Sequence, residues 1–464
     1  MVNPCPSAHC SGIQGSVNEI CKATGWGVNH PVIVQGPDGS ICYCTCSCLA
    51  FGTPVATDTG YRAIETFVVG DTVRACGLDL DWQSHTVAFS NGTPGASKQK
   101  YAVLVVYADT AIAVTSDHLF LMSDKTLRRA DRLAPGDELV TPAGQPVPIA
   151  SVHIGDYYAG FHHIATKQEE PPADLAGHLI DTNGVVSADY AVQLYARDTE
   201  FRNQFSLTAG HDERPIVGSP EHVRRYGAGS RQAPDSASFA NRAAAPAMTV
   251  SRHQARDLKG PVFVPAEATV VPIPPGAASF ISDEEAAAKA ADPMRAWNDP
   301  LSRQWTQYLL DQHAAFYPQV TYQFDWADDT VNAYAWVDGS GIRHIAIKGG
   351  LVRYVALQME GIALVIAHEL GHHYGGPPTF PGGLSCEGQA DYAAVRDVMR
   401  KVWFGEQYAT FALAGIAQMA AFFGVPNDPT APGGSSGCSH PPGACRIATY
   451  YGALRLSGKP GCAS

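Results

Sequence analysis

Apolar positions between residues 48 and 196 come in short runs, such as "YAVLVVYA" and "AIAVTSDHLFLM", separated by "SNGTPG", "PGD" and "PAGQP". Runs rich in Val, Ile and Tyr and closed by Gly, Pro or Asn predict short strands joined by turns, hence a compact all-β domain over 48–196. Residues 197–290 lose this rhythm. Pro, Ala and Ser dominate "GSRQAPDSASFANRAAAPAM" and "PVFVPAEATVVPIPPGAASF", which predicts a linker or an extended pro-segment laid along a neighbour. Helical periodicity then sets in. "SDEEAAAKAADPMRAW" offers Ser282 as a cap, Glu284 and Glu285 in the first turn, and Pro293 as a break. A helix through "LSRQWTQYLLDQHAAFY", strands at "VTYQFDW" and "RHIAIKGG", and one long helix from "LVRYVALQ" to Gly375 follow, with further helices near 387–403 and 405–423. The expected architecture is multidomain: a Cys-rich head (1–47), the all-β domain, the linker, and an α+β domain over 291–464.

Composition narrows the function classes. The chain has 464 residues and a formal net charge of -12, which argues against a nucleic-acid backbone or an anionic membrane as principal partner. No run approaches the length of a membrane span. The start "MVNPCPSAHCSG" lacks basic and apolar signal-peptide regions, so a cytoplasmic location is the default. Cysteine usage pulls the other way. Seven of the twelve lie at Cys5, Cys10, Cys21, Cys42, Cys44, Cys46 and Cys48, and three at Cys438, Cys445 and Cys462. Terminal clusters predict disulfides or a metal knot and leave export by a non-standard route open.

The strongest chemical signal is "AHELGHH". His368 and His372 at i and i+4 share one helix face and can hold a single tetrahedral ion, which is the physics of HExxH. Glu369 beside the first ligand can position the attacking water and take its proton. The preceding "GIALVIA" is apolar and demands burial, unlike an ordinary solvated helix face. Fifteen residues further, "CEGQADYAA" offers Glu387 as third ligand and Asp391, one turn on, as acceptor for the second ring nitrogen of His368. Two His and one Glu with an open position form the usual hydrolytic Zn2+ set. His373 is a neighbour rather than a ligand.

These residues resemble the gluzincin metallopeptidases, and within them the soluble relatives of the CAAX prenyl protease and HtpX group. "VNAYAWVDGSGIRHIAIKGGLV", "HELGHH", "CEGQADY" and the late "SHPPGACRI" carry the likeness, which spans roughly 295–455. It implies a zincin-type fold, endopeptidase activity on peptides or proteins, and a donor opposite the zinc that stabilises an oxyanion. His440 or Arg446 are the candidates, with Tyr450 and Tyr451 as rivals.

Cys48 opens a second resemblance. "CLAFGTPVATDTGYRAIETFVVGDTV", then "VTSDHLFLMSDKTLRRADRLAPGDELV" with Thr115 and His118 as a TxxH element, then "AGHLIDTNGVVSADYA", are similar to the Hint domains of hedgehog proteins and inteins. The likeness implies attack of the Cys48 thiolate on the Ser47 carbonyl, with His118 protonating the departing nitrogen and Thr115 orienting the bond. Asn183 is followed by Gly184 and reads as a tight turn, so cleavage without ligation is expected; Ala188 and Asp189 stand where a hedgehog-like ending carries a cysteine. Cys42, Cys44 and Cys46 read as disulfide or metal-knot residues.

Three functional readings follow. The first is a zinc endopeptidase with a self-cleaving Hint domain. The second is a secreted effector or toxin, freed by that domain from a delivery head and paired with an inhibitor or immunity protein. The third is a binding protein with an inactive Hint scaffold and structural zinc.

Overall fold

A computed structural model describes residues 2–4, 31–35, 41–45, 49–92, 98–167, 169–196, 205, 214–226, 263–266 and 270–464. The chain divides into two compact units at Thr269/Val270.

The first unit is built from sheets. Val2–Pro4, Ile41–Thr45 and Pro31–Gln35 form a three-stranded sheet in that order. A larger sheet runs Glu138–Val140, Pro146–Tyr158, Lys98–Tyr107, Thr110–Thr115, Leu49–Ala50, Phe161–Ala165, Phe89–Gly92. Another runs Leu127–Arg129, Leu119–Leu121, Val185–Ala188, Leu179–Thr182, Pro54–Thr57, Gly60–Ala63. Residues 102–106 are buried throughout, which explains why "AVLVV" is apolar without alternating. Asn183 and Gly184 take φ of 56° and 83° and close the hairpin between Leu179–Thr182 and Val185–Ala188, the tight turn expected of an Asn-Gly pair.

The expected linker is partly ordered. Phe263–Pro265 pairs antiparallel with Gly155–Tyr157, and Phe263 and Val264 are buried there. These three residues are part of the first unit's sheet. At the other end, the second unit begins at Val270, ahead of residue 291, because "ASFI" is a strand entry and not a spacer. Ala278 and Ser279 pair with Ala335 and Tyr334, and Phe280 and Ile281 are fully buried.

The second unit carries a four-stranded sheet in the order Ala278–Ser279, Ala333–Val337, Arg343–Lys348, Val320–Asp325, with only the last pair parallel. Ala333–Val337, which lies between the two expected strands in the chain, is itself a central strand. Ser282 caps Asp283–Lys289 through a bond from the Glu285 amide, and Asp299 caps Pro300–Phe316 with Pro300 at the first position. The long helix splits into Gly349–Arg353 and Met359–Tyr374, since Tyr354 and Gln358 are extended. The Gln418 side chain accepts from the Gln358 and Gly361 amides at the second start. Glu387–Ala393 continues through a π-helical turn, Ala394–Met399, and is followed by Gly405–Phe423 and Gly443–Arg455. The last helix is an addition to the expected set. Met359–Tyr374 is buried from Gly361 to His372 and forms the centre of the unit's core.

Candidate metallopeptidase centre

Burial of that helix on all sides places its polar residues where they need partners. Gly371 lies between the two histidine ligands, and a Cβ there would come within 2.5 Å of the Ala390 carbonyl oxygen. Glycine therefore lets Glu387–Ala393 approach closely enough for Glu387 to reach both histidines.

Ligand atoms of His368, His372 and Glu387 lie within 4.8 Å of one another, all buried. Glu387 Oε2 is 3.3 Å from His368 Nε2 and 3.6 Å from His372 Nε2. The opposite ring nitrogens are engaged: His368 Nδ1 is 2.8 Å from Asp391 Oδ1, and His372 Nδ1 is 2.7 Å from the Ser385 carbonyl. Acceptors on Nδ1 fix both rings with Nε2 facing inward. Both Nε2 atoms, Glu387 Oε2 and both Glu369 oxygens are buried without a hydrogen bond. Orphaned buried polar atoms are costly, and the three that lie within 4.8 Å of one another are costly unless a cation completes them. Two imidazoles and a carboxylate suit zinc.

Asp391 organises the support. Its carboxylate accepts from His368 Nδ1, from Arg446 Nε and Nη2 at 2.8 Å each, and from Tyr450 Oη at 2.7 Å. Burial works against its charge, yet the Arg446 guanidinium holds it well below the usual carboxylate range. Burial would lower His368, but Asp391 beside it reverses this and raises it to about 9. Burial drops His372 to about 4 and pushes Glu369 up to about 8. Burial also opposes ionisation of Glu387, but His372 and His368 bring it below its ordinary value.

The oxyanion candidates separate cleanly. Arg446 is committed elsewhere: its Nη1 donates to the Phe280 carbonyl at 2.6 Å, and its guanidinium lies 4.4 Å from the Phe280 ring centroid and 4.9 Å from that of Phe423. It is a buried clamp on Asp391, which corrects the sequence expectation of a donor to substrate. Tyr450 is tied to Asp391, and Tyr451 reaches Asn427. His440 remains near the ligands, with Nε2 at 3.7 Å from Glu387 Oε2 and 2.8 Å from the Ser279 carbonyl, its side chain 28% exposed. His373 turns to the His344 carbonyl, 2.9 Å away.

Sequence reasoning missed Phe280, whose ring meets the edge of His368 at a centroid distance of 5.2 Å. It also missed Ser385 and the clamp role of Arg446. Ser385 acts through its backbone and leaves no residue-type signal. Two disulfides frame the centre, Cys386–Cys438 and Cys445–Cys462.

In the first unit, Thr115 ends a strand and His118 follows in a turn closed by its own amide to the Thr115 carbonyl at 3.2 Å; both residues are buried. Gln193 Nε2 lies 2.6 Å from His118 Nδ1 and 3.5 Å from the Ala188 carbonyl. As donor to both, the amide leaves the imidazole proton on Nε2. Cys48 and Ser47 lie outside the described residues, as does Cys46. Asp189 pairs with His178 Nδ1 at 3.0 Å.

Burial lowers His118 to about 3, so it is neutral in the folded chain at pH 7. An unfolded chain takes up this proton from about pH 6.5 downward, whereas the folded one does not until about pH 3. Stability therefore falls as pH drops through that window, by about 1.4 kcal/mol per pH unit from this residue. Urea midpoints of the parent and His118→Gln between pH 7.5 and 5 check this; the variant should show the shallower acid loss, and equal slopes would refute it.

Residues 300–380 match the model of Peptidase family M48. No curated protein sequence matches the chain. Among solved structures, the chain is similar to a bacterial intein-like domain from Clostridium thermocellum, at 19% identity and TM-score 0.27, covering 31% of this chain and 99% of that one. A DnaB intein from Synechocystis is similar at 14% identity and TM-score 0.26, over 31% of this chain and 99% of that one. The Msm DnaB1 intein splicing domain, described as bound with zinc, is similar at 20% identity and TM-score 0.23, over 30% and 99%. Among the described residues no helix is long and apolar enough to cross a membrane. Residues 300–380, which match peptidase family M48, contain two of the three candidate metal ligands, His368 and His372, together with Glu369 between them.

Proposed function

We propose that the second unit is a zinc-dependent endopeptidase. The reading rests on one observation: three ligand atoms within 4.8 Å beside a buried, unpartnered Glu369 carboxylate. Zinc bound by His368, His372 and Glu387 supplies a Lewis acid and lowers the pKa of water to roughly 7. The chain's own residues do the rest. Glu369 orients the attacking water, takes its proton and returns it to the leaving amine, its buried carboxylate having no hydrogen-bond partner of its own. His440, partly exposed beside Glu387, is the proposed donor to the oxyanion, which would take the place of the Ser279 carbonyl on its Nε2. Asp391 holds His368 in register. The substrate is a peptide or protein. Hydrolysis of a generic fluorogenic peptide, abolished by a chelator and restored by zinc, tests the assignment. Metal bound with no hydrolysis of any peptide in a library would reduce the site to a structural one.

The first unit is proposed to cleave its own chain before Cys48. Support comes from the strand Leu49–Ala50, which pairs with Val114 and so brings the chain into the sheet next to Thr115. His118, neutral and with the proton on Nε2, can hydrogen-bond the departing nitrogen, which takes the proton that the Cys48 thiol gives up on attack. Intact mass should reveal a fragment ending at Ser47, produced faster with hydroxylamine. Cys48→Ala should abolish it and His118→Ala slow it by about 10²–10⁴-fold. Cleavage surviving Cys48→Ala would assign the cut to another protease.

A further inference from the structure

Both disulfides begin one residue away from a residue that builds the metal centre. Cys386 directly precedes the ligand Glu387, and Cys445 directly precedes the clamp Arg446. Residues 385–391 hold most of the centre: the Ser385 carbonyl holds His372, Glu387 is the third ligand, and Asp391 holds His368.

The far ends of the bridges matter equally. Cys438 lies two residues before His440, in the connection between the helices Gly405–Phe423 and Gly443–Arg455. Every residue from 426 to 435 in that connection is exposed. Its other anchors are few: Asn427 accepts from Tyr451, the Gly437 amide donates to the Ser464 carbonyl at 3.0 Å, Ser435 reaches the same carbonyl, and His440 Nε2 meets the Ser279 carbonyl at 2.8 Å. Cys462 fixes the turn Gly461–Ala463 beside Gly388, where a Cβ would lie 2.2 Å from the Ala463 carbonyl oxygen. An exposed stretch rich in Gly and Pro has high entropy when untethered, and a crosslink over 52 residues removes much of it.

We propose that the Cys386–Cys438 disulfide is a redox latch on the peptidase centre, holding the His440 segment against the Glu387 turn when formed and releasing it when reduced. The inference rests on the peptidase reading above. Closing the latch removes two electrons and two protons from the two thiols. A low-molecular-weight disulfide such as oxidised glutathione accepts them, its own S–S bond breaking to two thiols. The Cys445–Cys462 bridge, buried with Ala463, braces Arg446 from behind. A chain made in a reducing compartment is thereby held at low activity, and gains activity on reaching an oxidising one.

The test uses the full zinc-loaded chain, oxidised, and the variant Cys386→Ala/Cys438→Ala. Activity on a fluorogenic peptide, zinc release to a competing chelator, and circular dichroism are read together. A phosphine reductant should lower the parent's kcat/KM by about 10–100-fold, the range for lost support of a metal ligand. Zinc release should quicken, and oxidised glutathione should restore both. The Cys445–Cys462 bridge also responds to reductant, so the variant decides the site: it should show the lowered kcat/KM and the quicker zinc release before any reductant is added. A reduced parent or a folded variant with full activity and slow zinc release would overturn the latch. If the variant does not fold, reduction of Cys445→Ala/Cys462→Ala, which keeps the Cys386–Cys438 bridge, decides in its place. If the oxidised chain holds zinc yet cleaves nothing, the peptidase reading fails, while zinc release alone still reports whether the bridge guards the centre.

Discussion

Glu369→Gln should bind one equivalent of zinc like the parent and lose kcat by about 10²–10⁴-fold, the range for a removed general base. The carboxylate makes no hydrogen bond, so the amide disrupts no support. Glu369 is not among the three grouped ligands, so the ion stays. What is lost is proton transfer: the amide has the carboxylate's shape but cannot accept a proton from water. His368→Ala and Glu387→Ala should instead release metal. Metal content by mass spectrometry and peptide hydrolysis, measured on one preparation, separate the two outcomes. Parental turnover by Glu369→Gln would remove it from the mechanism.

Asp391→Leu should be the most destabilising change in the second unit, at about 3–5 kcal/mol, because it strands the buried Arg446 cation. It also deprives His368 Nδ1 of its acceptor, so zinc affinity should fall by about 10–100-fold. The two effects can be pulled apart. Asp391→Leu/Arg446→Met replaces the buried pair by apolar groups and should recover most of the stability, since no charge is left stranded. Zinc affinity should stay low, because His368 still lacks a partner. Equal recovery of both would show that Asp391 serves only to neutralise Arg446. Denaturant midpoints and competitive zinc titration give the two numbers.

The parts of this centre that were legible in the sequence are those written in local spacing. His368, Glu369 and His372 follow from one helical turn and its apolar approach, and Glu387 with Asp391 from the next polar turn. The sheets of the first unit follow from runs such as "YAVLVVYA" and from the Asn183–Gly184 turn. What was not legible depends on distance along the chain. Arg446 meets Asp391 across 55 residues and the Phe280 carbonyl across 166. No periodicity encodes such a pairing, and Arg446 read equally well as a donor to substrate. Residues 270–281 read as linker because Pro and Ala dominate their composition, while the two residues that decide, Phe280 and Ile281, are too few to form a pattern. The break at Tyr354–Gln358 was hidden because both halves of the helix are apolar enough to pass as one.

The dependence of Asp391 on partners that follow it has a consequence for the order in which the molecule matures. During synthesis all three ligands and Glu369 leave the ribosome before His440, Arg446, Tyr450 and the turn at Gly461–Ala463. A nascent chain that has reached Asp391 thus carries a full ligand set with no guanidinium to hold its central carboxylate ionised and no brace behind Gly388. The support around Asp391 is therefore complete only once nearly the whole second unit has been made, so the timing of translation sets when the ligand turn can settle.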